Sequence, residues 1–271
     1  MARWTVDKPM ALDFDDVRSL NVRLIAGTVA VLASDDRPSV VVSELSGRPI
    51  LVSHEDGVLT VAYESLSWEG LLGFLKPRKD SVAITVTVPA DCPTQFGVLS
   101  ASAVVSGLSA GASVRNMSGD ITLDGVTGDV DAETMSGELA ACDVDGSIRI
   151  KSMSGGVTVA GGLIDSLDAS TMSGQVTADF ALRGTGNVHV STMSGDVTLR
   201  LPADSDARVH MHSTSGAVRT EFETLRTIKA PGSRAVSGNV GAGAGHVSVT
   251  TMSGAITLLR RSPVGMESKT R

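Results

Sequence analysis

The chain has 271 residues and a formal net charge of −7. No basic block stands out, which argues against a nucleic-acid partner, and no stretch approaches the length of a membrane span. Apolar residues reach 42% but aromatics only 3%, a balance that suits a narrow core one or two side chains thick better than a compact globule.

The opening MARWTVDKPMALDFDD lacks an apolar signal core, so a cytoplasmic protein is expected. Cys92 and Cys142 fit no metal spacing and are expected as reduced, mostly buried thiols. Residues 1–100 read as strands. Alternation over 17–31 is followed by apolar runs at 39–43, 50–52 and 58–61, with His54-Glu55-Asp56-Gly57 as a hairpin turn between the last two. The strongest strand pattern is 81–88, ended by Pro89. This N-terminal segment is expected to cap the first open edge of the strand stack formed by the rest of the chain. Residues 65–79 break the pattern with an aromatic and apolar cluster, Trp68, Leu71, Leu72 and Phe74, then a basic run. The expected role is an excursion folded onto the strands, and the competing one is a docking loop for a partner or a membrane surface.

From residue 101 the chain repeats. Met-Ser-Gly begins at Met117, Met135, Met153, Met172, Met193 and Met252, closing on Gly119, Gly137, Gly155, Gly174, Gly195 and Gly254. Degenerate copies are Thr214-Ser215-Gly216, Val236-Ser237-Gly238 and, earlier, Val105-Ser106-Gly107. The positions three and five before the Met and four and six after it are apolar almost throughout, with polar residues between them. That is the alternation of strands with one buried face. Each repeat therefore holds two short strands joined at the Met-Ser-Gly corner, with a second corner at Val126-Thr127-Gly128 and Val144-Asp145-Gly146. Such a unit buries its face only against a neighbour. The predicted fold is all-β: a single-chain β-solenoid of about 18–22-residue coils. Its expected organisation is 1–100 as cap, 101–260 as solenoid and 261–271 as a disordered tail. The methionines are expected to fill corners of the core and the serines to satisfy backbone groups. The alternative is a Met or hydroxyl ladder that binds something.

No phosphate loop, nucleophile elbow, zinc motif or cofactor fingerprint is present. Asp168, His189 and His210 share one outward column and are weak candidates for a surface metal site if their coils are adjacent. The expectation for that column is a solvated polar face. The acids after the Ser-Gly, such as Asp120 and Glu138, are too dispersed for a carbohydrate-active pair.

The repeated [Thr/Ser]-Met-Ser-Gly-[Asp/Glu]-[Val/Ile]-Thr-[Val/Leu] pattern, with Ile84-Thr85-Val86-Thr87-Val88-Pro89 upstream, resembles the bacterial adhesin-labelled proteins of unknown function, also called toastrack or β-strand-repeat proteins. The resemblance covers roughly 15–260. It implies a β-solenoid without an established enzymatic activity, with some members linked by association to envelope-stress systems. Bactofilins, cytoplasmic β-solenoids that polymerise end to end, are a second comparison. The expected function is a non-enzymatic scaffold or protein-interaction module with an unidentified protein partner. A self-polymerising homo-oligomer is the first alternative, and a carbohydrate-active β-helix the second.

Overall fold

The structure is a computed structural model that describes residues 2–63, 80–230 and 233–262. The segment 65–79, with Trp68, Leu71, Leu72 and Phe74, lies outside the described residues, as does the tail from 263. Every regular element among the described residues is a β-strand. The protein is all-β, as its alternation requires. It divides into two compact units, Met1–Asp145 and Gly146–Arg271. The division expected at 100/101 falls within a single strand of the first unit.

The first unit holds β1 (Ala2–Val6), β2 (Met10–Asp13), β3 (Ser19–Ala33), β4 (Ser39–Ser46), β5 (Ile50–Glu55), β6 (Val58–Tyr63), β7 (Ser81–Val88), β8 (Thr94–Ser106), β9 (Ala112–Ser118), β10 (Ile121–Asp124), β11 (Val130–Ser136) and β12 (Leu139–Cys142). Its spine is β3, parallel along one edge to β8 and along the other to β6 and then β7. On β8 stack β9 and β10, and on those β11 and β12, all in parallel. Ser100, Ser118 and Ser136 fall in register, one repeat of 18 residues per rung (118 − 100 and 136 − 118).

The far side of the spine is closed by antiparallel pairs. There β5 and then β1 lie on β6, and β4 and then β2 lie on β7. The β5–β6 turn uses Asp56 at φ 52° and Gly57 at φ 80°, the left-handed pair that a two-residue hairpin requires. Inward columns such as Val130, Ala132, Leu139 and Ala141 are buried. Each large aliphatic so placed contributes about 1.5–3 kcal/mol and each alanine less.

The corner column corrects one reading. Ser118 pairs with Ser100, so the rung before Met117 turns at Leu99-Ser100-Ala101, not at Val105-Ser106-Gly107. Ser106 instead pairs with Asp124, and Asp124 with Cys142, leading to the second corner. There Leu108, Val126 and Val144 are buried. The Thr127 N–H donates to Leu108 O at 2.7 Å and the Asp145 N–H to Val126 O at 3.0 Å.

The second unit holds β13 (Gly146–Ser154), β14 (Val157–Ser173), β15 (Val176–Ser194), β16 (Val197–Pro202), β17 (Ala207–Ser213), β18 (Val218–Thr220), β19 (Arg226–Ala230), β20 (Ser233–Val240), β21 (Gly245–Ser253) and β22 (Ile256–Arg261). The rungs of β13, β14 and β15 follow chain order, with Ser154, Ser173 and Ser194 in register. Then order breaks. Ser194 pairs with Ser253, a jump of 59 residues (253 − 194). The last pair of strands, β21 and β22, lies between β15/β16 and β17/β18, parallel to both. The chain passes outward to β17 and returns through β19 and β20, both antiparallel, before filling the gap.

Stacking in simple sequence order is therefore overturned. The third degenerate copy is no corner either: Val236-Ser237-Gly238 lies inside β20, with Val236 buried against β17. The 22- and 16-residue intervals around it mark this excursion.

Candidate functional site

Three columns run along each corner, and their chemistry follows from strand parity. Positions five, three and one before the Met point inward; the Met itself shares parity with the outward positions. Accordingly Met117, Met135, Met153, Met172, Met193 and Met252 are 45–58% exposed, whereas Met211, three before a corner, is fully buried. The methionines do not fill the core, contrary to expectation. They stand outward as Met117 and Met135 in the first unit, and as Met153, Met172, Met193 and Met252 on four successive rungs of the second.

The inward position before the corner is polar in the six Met-Ser-Gly copies and in Thr214-Ser215-Gly216: Asn116, Thr134, Ser152, Thr171, Thr192, Thr251 and Ser213 are all buried. Some of these groups hold the corner. The Asn116 amide Nδ2 donates to Ala101 O at 3.0 Å and Gly119 O at 2.8 Å. The Thr171 hydroxyl donates to Thr192 Oγ1 at 2.9 Å, and the Ser213 hydroxyl to Gly254 O at 2.9 Å. The hydroxyl oxygens of Ser152 and Thr251 are buried without a partner among the described residues. This polar column is visible in the sequence, since it continues the inward alternation one step beyond the apolar positions, beside the Met.

Glycine closes the corner because rungs approach backbone to backbone. At Gly137, φ is +127° and an added Cβ would collide with the Gly119 carbonyl. At Gly195 no unusual φ is involved, yet a Cβ would strike the Gly174 carbonyl. The glycine N–H donates to the serine carbonyl of the next rung, as from Gly155 to Ser173 and from Gly174 to Ser194, both at 3.2 Å.

In the second unit these columns border an open groove of about 480 Å³. Met172, Met193 and Met252 line it beside Ser170, Ser191 and Thr250, and Ser152, Thr171, Thr192 and Thr251 complete the lining with Lys151 and Thr214. Exposed apolar side chains aligned along one rigid ladder are the kind of patch that binds. Methionine is the side chain that adapts best to irregular partners.

The other predicted residues do not converge. Asp168 and His189 are neighbours in register, but Ser248 lies between His189 and His210. The inserted β21 thus holds the two histidines two rungs apart, about 9.6 Å by strand spacing. Asp168 instead faces Arg149 at 3.9 Å, and no group of three potential His, Cys, Asp or Glu ligands occurs among the described residues. The acids after the corner join rungs. Asp120 Oδ1 accepts the Glu138 N–H at 2.9 Å, and Asp196 Oδ1 accepts that of Ala255 at 2.7 Å.

Cys92 is buried and Cys142 half-buried, and both are free thiols. Beside residues 64–79, Asp80 binds Arg48 through the guanidinium Nε at 2.9 Å and the backbone N–H at 3.1 Å, with the Arg48 guanidinium 6.0 Å from the Tyr63 ring. Tyr63 and Asp80 are the described residues on either side of 64–79, and both meet Arg48, Asp80 through the part-buried ion pair and Tyr63 through its ring.

The sequence matches the Toastrack DUF4097 family over residues 16–259. No curated protein matches it. Among solved structures, the chain is similar to a "putative adhesin" from Bacteroides fragilis NCTC 9343, with 13% identity over 93% of this chain and 97% of that one and a TM-score of 0.42. It is also similar to a "putative cell adhesion protein" from Clostridium sporogenes ATCC 15579 (12% identity, 94% and 99% covered, TM-score 0.28). A third is a "putative lipid binding protein" from Parabacteroides distasonis ATCC 8503 (14%, 94% and 97%, 0.33).

Proposed function

The chain belongs to the Toastrack DUF4097 family, and on that premise we propose that it is a non-enzymatic β-solenoid scaffold that presents a methionine-lined groove to a protein partner. The observation that carries this reading is the outward methionine column. Four rungs of the second unit place half-exposed Met side chains in register on a parallel ladder. A ladder is rigid because each strand is hydrogen-bonded on both edges, so the groove meets a partner preformed. Free Cys92 and Cys142 are what a reducing compartment maintains, which supports a cytoplasmic setting.

The test replaces Met172, Met193 and Met252 with glutamate. These positions are outward, so circular dichroism and Tm should change little, while proteins co-isolated from the native host should be lost. Unchanged co-isolation would reject the groove as the contact. Filaments of the purified protein in electron microscopy would replace this reading with self-polymerisation. Turnover of an acidic polysaccharide, abolished by Asp120→Asn with Glu138→Gln, would replace it with catalysis. The 65–79 segment is part of the proposal as a second docking element. Trp68→Ala with Phe74→Ala should weaken partner capture and leave folding intact.

A further inference from the structure

The methionine column offers more than apolar surface. In the inward columns Ile, Leu, Val and Ala exchange freely: Ile148, Leu167, Val188, Val247 and Val209 occupy one of them. The outward corner of the first four of these rungs keeps methionine, at 153, 172, 193 and 252, and the fifth carries Thr214. Leucine there would present equal hydrophobic area, and a β-branched residue would suit a strand better. What methionine adds is a thioether, a soft and neutral metal ligand.

We propose that Met172, Met193 and Met252 form a binding site for a soft monovalent cation of the Cu(I) or Ag(I) type. Ser173, Ser194 and Ser253 pair in register, so the three methionines before them sit on consecutive parallel strands, about 4.8 Å apart at the backbone. By analogy with the about 2.3 Å of a zinc–thiolate bond, two sulfurs on one ion stand about 4 Å apart. Met193 meets either neighbour across one strand spacing; Met172 and Met252 are two rungs, about 9.6 Å, apart at the backbone, and their long unbranched side chains reach a shared ion only by leaning toward Met193. All three side chains are 51–58% exposed and line the same groove, which leaves an ion free to enter.

The rest of the lining selects by chemistry. It holds hydroxyls and Lys151, and no carboxylate, imidazole or thiol. Hard divalent cations demand oxygen anions, and zinc demands thiolate or imidazole. A thioether set without negative charge suits a soft monovalent ion. Lys151 stands on the rung of Met153, one rung from Met172 and two from Met193, so the cationic end of the groove lies to one side of its centre.

The experiment titrates Ag(I), and Cu(I) under anaerobic conditions, into the full chain carrying Cys142→Ser, which removes the half-buried competing thiol. Methionine ε-methyl NMR reports the site. Saturable shifts at Met172, Met193 and Met252 are expected, with buried Met211 unmoved. The M172L/M193L/M252L variant keeps the apolar surface and should bind at least about tenfold more weakly. No saturable shift, or undiminished binding by the leucine variant, would overturn the site. Leucine spares an apolar protein contact and glutamate destroys it, so this inference and the proposed partner groove fail separately.

Discussion

Gly195 stacks so closely on Gly174 that a single methyl group has no room between them: its Cβ would strike the Gly174 carbonyl oxygen. The obstruction is backbone on a hydrogen-bonded ladder, so it cannot be relieved by a rotamer change. Gly195→Ala should cost about 3 kcal/mol and lower Tm by roughly 6–12 °C. A calorimetric Tm within a degree of the parent would contradict this packing.

Alkaline pH should weaken the first unit. Burial, then the Asp80 carboxylate, pushes the Tyr63 hydroxyl from 10.0 up to about 12, with Arg48 acting the other way. Burial, then Asp91, pushes the Cys92 thiol from 9.0 up to about 11, opposed by its hydrogen bond with Thr94. Both groups hold their protons more tightly folded than unfolded. Their contribution is complete below about pH 9 and lost as pH rises to about 12. Tyr63→Phe should flatten the fall between about pH 10 and 12. At neutral pH it should change stability by no more than about 1 kcal/mol, because the Tyr63 hydroxyl is buried without a partner among the described residues. A Tm profile across this range checks both.

Asp80→Ala removes the carboxylate that receives the Arg48 guanidinium and backbone N–H. Breaking a buried pair from one side costs about 3–5 kcal/mol. The urea midpoint should drop accordingly with an unchanged slope. A midpoint equal to that of the parent would show that the pair does not hold the ends of 64–79.

The returning strands β21 and β22 close the second unit from inside. Removing residues 245 onward would leave β15, β16, β17 and β18 without a shared neighbour. The exposed edges should drive aggregation, visible as void-volume material in gel filtration. A subtler probe is Asp196→Ala, which deletes the bond to the Ala255 N–H and should cost about 1 kcal/mol. A monodisperse truncated chain would refute the inserted order.

Mild peroxide should oxidise the six corner methionines to sulfoxides and spare Met211, read by peptide mass spectrometry. The far-ultraviolet spectrum should hold, because the modified side chains are outside the core. Oxidation of Met211 at a comparable rate would mean that its strand opens.

Much of this was legible in advance for a local reason. Ile121, Leu139, Val157 and Val176 announce their burial through period-two alternation, and Asp56-Gly57 announces its turn through the left-handed backbone it must adopt. The same parity, carried one step further, puts Met172 outside and Thr171 inside. Hydrophobicity alone points the wrong way there, because it ranks residue types and not the direction of a side chain. The His189–His210 pairing failed for a different reason. Adjacent corners in the sequence are adjacent rungs only if the chain winds in order, and no local pattern reports that β21 enters from 59 residues away.

By itself, then, the sequence determined the strands, the corners and which face of each strand is apolar, since these depend on neighbours a few residues apart. Tertiary structure alone decided which rung lies on which. It inserted Met252 beside Met193, moved His210 a rung further from His189, and aligned three thioethers along one groove. Pairing in a ladder is settled by competition among edges that present nearly the same hydrogen bonds and the same aliphatic columns, and a repeat sequence makes those edges alike.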